Sequence, residues 1–141
     1  MPALSDHVQK FFEDYERSLA QPGVDGAAAS YADSFLFAGP QGATAVPKAG
    51  FLKVLPKRSE FFKAAGLVSS KIQSLEETRL DYSYLLVRAV WVMTFEKDPG
   101  HPTVIEAATT YILYHRENSV QIVFQLDHQD LAKMVQESDL L

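Results

Sequence analysis

Leu4, Val8, Phe11, Phe12, Tyr15 and Leu19 recur along the chain at helical spacing and define one apolar stripe. Glu13, Asp14, Glu16 and Arg17 fall off that stripe, as on a solvated face. Ser5 is placed to cap the helix, Asp6 complements its dipole, and Pro22-Gly23 ends it. Residues 25–32, rich in alanine, read as a short second helix packed closely against a neighbour. Residues 34–38 read as a short buried strand, and Gly39-Pro40-Gln41-Gly42 breaks the chain. Pro47 suits the first turn of a third helix, which turns Phe51, Leu52 and Leu55 inward. Pro56 predicts a kink or restart there, Phe61, Phe62 and Ala65 continue the apolar face, and Gly66 stops it.

Beyond Gly66 the period changes from helical to alternating. Long β-type runs cover roughly residues 67–80, 83–97, 103–116 and 119–127. Asp81, then Asp98-Pro99-Gly100, then Glu117-Asn118-Ser119 separate them, and such short connections imply antiparallel neighbours. In the run 83–97, Leu85, Val87, Ala89, Trp91, Met93 and Phe95 share one face. Tyr84, Leu86, Arg88, Val90, Val92 and Thr94 share the other, which is only partly polar. A sheet lying on helices keeps one wet face, so this second face is expected to be covered by another copy of the chain, as a homodimer. A last helix is predicted over residues 129–137. Helices followed by a meander of long strands give an α+β class: a cone-shaped curved antiparallel sheet packed on N-terminal helices, with an apolar pocket between the two layers.

Composition narrows the chemistry. The 141 residues suit one domain spanning residues 1–141, and 47% hydrophobic with 22% charged residues is a globular balance. With no cysteine, thiol catalysis and cysteine-based zinc sites are excluded. A net charge of −5 argues against nucleic-acid binding. No apolar run approaches the length of a membrane span, and the first residues lack a signal pattern, so a cytoplasmic protein is expected. His7, His101, His115 and His128 show no metal-ligand spacing, and nothing implies a cofactor or metal.

Certain local stretches point further: Val24-Asp25-Gly26, Tyr31-Ala32-Asp33, the run from Phe35 to Gly42, and the run from Gln121 to Asp130. With the order of elements, they resemble the nuclear transport factor 2-like superfamily, which includes SnoaL-like polyketide cyclases and ketosteroid isomerases with a cystatin-like roll. The resemblance covers nearly the whole chain and is specific for fold rather than activity. In the isomerase branch a tyrosine on the first helix donates to the developing enolate oxygen, and Tyr15 matches it. The general base of that branch, an aspartate before the proline after the first strand, is Gly39 here, and glycine moves no proton. The second oxyanion donor falls at Thr110 by an ungapped count from the last strand. The cyclase branch has an acid–base aspartate before a Leu/Met-Gln run, which Asp130 matches, with Asp127 at a second acidic position. The glutamate and tryptophan usual in that strand are Phe124 and Leu126 here.

The remaining candidates come from the residues themselves. Tyr15 is either a core tyrosine or a pocket donor. Glu106 lies among apolar strand residues; buried, it would suit acid–base work, and otherwise it pairs with Arg88 on the neighbouring strand. Asp127 and His128 are adjacent in a strand and so face opposite ways, and Asp130 is equally a capping acid for the last helix. Lys48, Lys53, Lys57, Arg58 and Lys63 make the third helix basic, a solvated face or an anion site. Trp91 lines either the cavity or the core. The sequence therefore leaves open two functions. One is a binding protein for a small apolar molecule, with cofactor-free isomerase, cyclase or dehydratase chemistry through Tyr15, Asp130, Asp127 or Glu106. The other is a non-catalytic dimeric interaction module whose cone is filled by its own side chains.

Overall fold

The computed structural model describes residues 5–20, 25–117 and 119–138. Leu4, the Pro22-Gly23 stop, Val24 and Asn118 lie outside them. The first helix, α1 (Asp6–Leu19), buries Val8, Phe12 and Tyr15, and leaves Leu19 half exposed at its end. Ser5 holds the N-cap position but makes no side-chain cap; its hydroxyl donates to Glu77 at 2.6 Å and its amide to the same carboxylate at 3.1 Å. The cap residue thus ties α1 to the sheet instead of to its own first turn.

The second helix, α2 (Asp25–Ser30), is shorter than its alanine content suggests. Tyr31 leaves the helix to open β1 (Tyr31–Gly39), because pairing with Ile122 buries its ring. A strand absent from the sequence reading, β2 (Gly42–Pro47), folds back on β1 through Pro40 and Gln41. Most of β2 is exposed, so no alternation marks it. The third helix, α3 (Lys48–Ala64), runs through Pro56 as one element, without the restart expected there. Phe62 is buried near its end, and Gly66, at φ 92°, turns the chain into the sheet. Lys48 is not on the solvated face: its ammonium donates to the carbonyls of Ala28 and Tyr31 at 2.9 and 3.3 Å.

The long strands are β3 (Leu67–Arg79), β4 (Tyr84–Phe95), β5 (Thr103–Arg116) and β6 (Ser119–Asp127), followed by α4 (Leu131–Glu137). The sheet is curved and unclosed, in the order β2-β1-β6-β5-β4-β3. All neighbours are antiparallel except β1 and β6, which run parallel. The alternation in β4 holds throughout: Leu85, Val87, Ala89, Trp91, Met93 and Phe95 are buried on the concave face. Under α1 the core is aromatic; Phe62, Ala65, Met93, Phe95, Ile105 and Val135 form a second cluster where α3 and α4 cover the sheet's other end. Among the described residues no helix is long and apolar enough to cross a membrane.

Candidate functional site

The concave interior is occupied by rings. Tyr15 packs on Phe12, Tyr31, Trp91 and Tyr111 with centroids 5.9–6.2 Å apart, and Tyr31 packs on Phe35 and Phe51 at 4.6 and 4.8 Å. The apolar pocket expected there is filled by the chain itself.

The polar atoms of these rings form a line. Trp91 Nε1 donates to the Tyr111 hydroxyl at 3.3 Å, and the Tyr111 ring packs on Tyr15 with centroids 5.9 Å apart. The Tyr15 and Tyr31 hydroxyls are 2.9 Å apart, and Tyr31 donates to Gln125 Oε1. Gln125 Nε2 then donates to the Asp127 carboxylate at 3.0 Å, and the Thr109 hydroxyl lies 3.4 Å from the same oxygen. Burial raises the Tyr15 pKa above the ordinary phenol value. Burial, then the neighbouring Tyr15 hydroxyl, pushes Tyr31 and Tyr111 well above it. All three phenols therefore stay protonated near neutral pH and serve as donors.

Asp127 is where this line reaches solvent. It borders a cleft of about 220 Å³ at the open end of the cone. The β1–β2 hairpin supplies Phe37, Gly39, Pro40, Gln41 and Gly42; α3 supplies Arg58; the turn into α4 supplies Gln129 and Asp130, and the first residues of α4 supply Leu131 and Ala132. Arg58 stacks over the Phe62 ring at 4.9 Å. One wall is thus apolar, and the other carries a guanidinium and two carboxylates.

The structure separates the residues singled out in the sequence. Asp127 and Asp130 border the cleft. Asp130 also caps α4, accepting from the Lys133 amide at 3.1 Å, and Gln41 donates to it at 3.3 Å. Tyr15 sits at the inner end of the hydrogen-bond line and does not border the cleft. Trp91 belongs to the core. Glu106, Arg88 and Thr110 lie on the convex face and are not brought to Tyr15. Glu106 is exposed opposite Val92, whereas Arg88 stands opposite Thr110, so the two form no pair within the chain. Thr110 instead meets His128 Nε2 at 2.7 Å on the outer face.

The inner threonine is Thr109. A bulge between Ile112 and Leu113 in the β5–β6 pairing adds a residue on β6, so an ungapped count arrives one position off and on the wrong face. Tyr31, Tyr111, Gln125 and Arg58 were not singled out by sequence reasoning. A signal for Gln125 exists, because it stands two residues before Asp127 and shares its face between apolar Phe124 and Leu126. Among the described residues no group of three or more His, Asp or Glu side chains converges as metal ligands would.

The fold, an α+β cone, is the nuclear transport factor 2-like, cystatin-like architecture. An NTF-2-like protein of unknown function from Shewanella oneidensis superposes with a TM-score of 0.71 at 12% identity, covering 88% of this chain and 98% of that one. A protein of unknown function with a cystatin-like fold from Nostoc punctiforme gives 0.70 at 13% identity, covering 92% and 96%. The β subunit of benzoate 1,2-dioxygenase from Burkholderia mallei gives 0.68 at 16% identity, covering 95% and 96%. No family model matches the sequence, and no curated protein matches it. The resemblance drawn from the sequence holds at the level of the fold.

Proposed function

We propose that this protein binds a small amphipathic molecule in the cleft at the mouth of the cone, with Asp127 as the acid–base group that meets it. The observation carrying this reading is the Asp127 carboxylate, which borders the cleft while Gln125 and Thr109 hold it from within. A carboxylate so positioned takes up or returns a proton without further parts, which is what isomerisation, cyclisation or dehydration requires. Arg58 offers a partner for an anionic or carbonyl oxygen, and Phe37, Pro40 and Leu131 offer an apolar wall. The cleft is smaller than the usual range of drug-sized sites, from about 300 Å³ upwards, so the ligand is small or inserts only one end. Tyr15 and Tyr31 are positioning residues here, since they act on Asp127 through Gln125.

The test is ligand-observed NMR with small hydroxy, keto and carboxylic compounds, comparing the unaltered protein with Asp127→Asn. Compounds that bind the first and not the second support the reading; a screen in which no compound distinguishes them defeats it.

A second reading, a dimeric interaction module, draws on the convex face. Leu86, Val90, Val92, Ile112, Phe124 and Leu126 lie outward there and only half-buried, more apolar than a wet sheet face needs. The similar fold of a dioxygenase β subunit supports the same reading, since that chain is a subunit of an assembly. A second copy covering the face is compatible with the cleft, which opens elsewhere on the molecule.

A further inference from the structure

At the far end of β5 and β6 from Asp127, the β3–β4 and β5–β6 connections border a second cavity of about 870 Å³, separate from the cleft. Its lining carries two guanidinium groups, Arg79 at the end of β3 and Arg116 at the end of β5, together with the His115 imidazole. Among the described residues neither arginine forms an ion pair. Arg79 is held in place by its own hairpin, where Nη1 donates to the carbonyls of Asp81 and Tyr82 at 3.1 and 3.3 Å. His115 is held by His7 on α1, whose ring stacks on it with centroids 4.0 Å apart and planes 9° from parallel. The acids nearby are mostly engaged: Asp81 accepts from the amides of Ser83 and Tyr84 at 2.8 and 2.9 Å, and Glu77 of β3 accepts from Ser5. Glu117 is the one acid of the lining without a hydrogen bond or ion pair among the described residues. The Tyr82 ring also lines the cavity and is 93% exposed.

Two guanidinium groups without counter-ions, brought to one cavity from two different hairpins, suit an anion whose oxygens face more than one way. A carboxylate offers two oxygens in one plane, whereas a phosphate monoester offers three and about two negative charges near neutral pH. The exposed Tyr82 ring beside the cations adds a flat apolar face on which another ring can stack. We propose that this cavity binds a small aromatic phosphate monoester. Its phosphate lies between Arg79 and Arg116, His115 donates to one of its oxygens, and its ring packs on Tyr82. The cavity volume falls in the range of small-molecule sites, about 300–1,000 Å³. The chain as a whole carries a net charge of −5, so the local arginines and not a long-range field hold the anion, and Glu117 opposes it. His7 is a positioning residue, since it touches His115 and does not line the cavity. This site is independent of the cleft at Asp127 and of the function proposed there.

The experiment is a ligand-observed NMR titration of the full chain with phenyl phosphate, inorganic phosphate and benzoate. Phenyl phosphate should bind at millimolar concentration, more tightly than either of the other two. Arg116 is exposed and forms no ion pair within the chain, so Arg116→Gln should keep the fold by circular dichroism. That variant should raise the Kd for phenyl phosphate by about tenfold, through loss of a charge-assisted contact. Tyr82→Ala should weaken phenyl phosphate to the level of inorganic phosphate and leave inorganic phosphate unchanged. Glu117→Gln should tighten both, by removing the opposing charge. No binding of phenyl phosphate at millimolar concentration, or binding that Arg116→Gln leaves unchanged, overturns the site. Benzoate binding as tightly as phenyl phosphate overturns the assignment to a phosphate, and an unchanged phenyl phosphate Kd in Tyr82→Ala overturns the ring contact.

Discussion

The Tyr15 and Tyr31 hydroxyls lie 2.9 Å apart inside the cone, and their order of donation is set further down the line. Tyr31 gives its one proton to Gln125 Oε1, so Tyr15 is the donor to Tyr31. Gln125 in turn is oriented by Asp127, which only accepts when ionised and so draws Nε2 toward itself. The donors thus run in one direction, from the aromatic core to the carboxylate at the cleft.

That direction makes the two tyrosines unequal. Tyr31→Phe strips Gln125 Oε1 of its donor and leaves the Tyr15 hydroxyl without an acceptor, whereas Tyr15→Phe leaves the Tyr31–Gln125 bond in place. We expect a loss of about 2 kcal/mol for Tyr31→Phe and about 1 kcal/mol for Tyr15→Phe. Urea denaturation measures both, and the opposite order would mean that donation runs the other way.

Asp127→Asn should separate binding from folding. An asparagine oxygen still accepts from Gln125 Nε2, so stability should change by less than about 1 kcal/mol. Ligand binding at the cleft should be lost. A thermal melt beside the NMR screen reads the two effects separately.

Stability should also depend on pH through His7. Its ring stacks on His115 with centroids 4.0 Å apart, and its Nε2 is buried without a partner. Burial, then the neighbouring His115, lowers its pKa below the ordinary histidine value of 6.5, while Glu77 opposes the shift. Because the folded-state pKa lies below the unfolded one, the unfolded chain takes up the proton first as pH falls. The contribution of neutral His7 is therefore present above pH 6.5 and lost as pH drops from there through the folded-state pKa. Tm should fall between about pH 7.5 and 5.5, and His7→Phe, which keeps the stack, should flatten that part of the curve. Parallel curves for the two proteins would remove His7 as the cause.

Gly26 reports how closely α2 lies on α1. A Cβ built there would stand 2.2 Å from the Ser18 Cβ. Gly26→Ala should therefore cost about 1–3 kcal/mol by overpacking, and adding Ser18→Gly in the same chain should recover part of it. Equal melting temperatures for the single and double variants would show that the helices part without hindrance.

The α1 stripe, the four long strands and their antiparallel order were legible because each is written in local periodicity over many residues. The boundary between α2 and β1 was less so: alanine propensity favours helix to Ala32, and only the pairing of Tyr31 with Ile122, far along the chain, ends it earlier. The exposed strand β2 carries no alternation to read. Pro56 signals a break by local rules, yet α3 continues through it.

For the site, the sequence by itself determined that Asp127 and His128 face opposite ways and that Asp130 stands at the start of the last helix, since both follow from neighbours along the chain. It also determined which residues of β4 share a face, and the structure shows the Leu85 to Phe95 set to be the concave one. Only the tertiary structure decided which aromatic rings fill the cone, which threonine stands beside Asp127, and where Arg88 and Glu106 fall relative to each other. The first depends on packing between elements distant in sequence. The second turns on one bulged residue on β6, and because side chains alternate with every step along a strand, one extra residue exchanges the two faces.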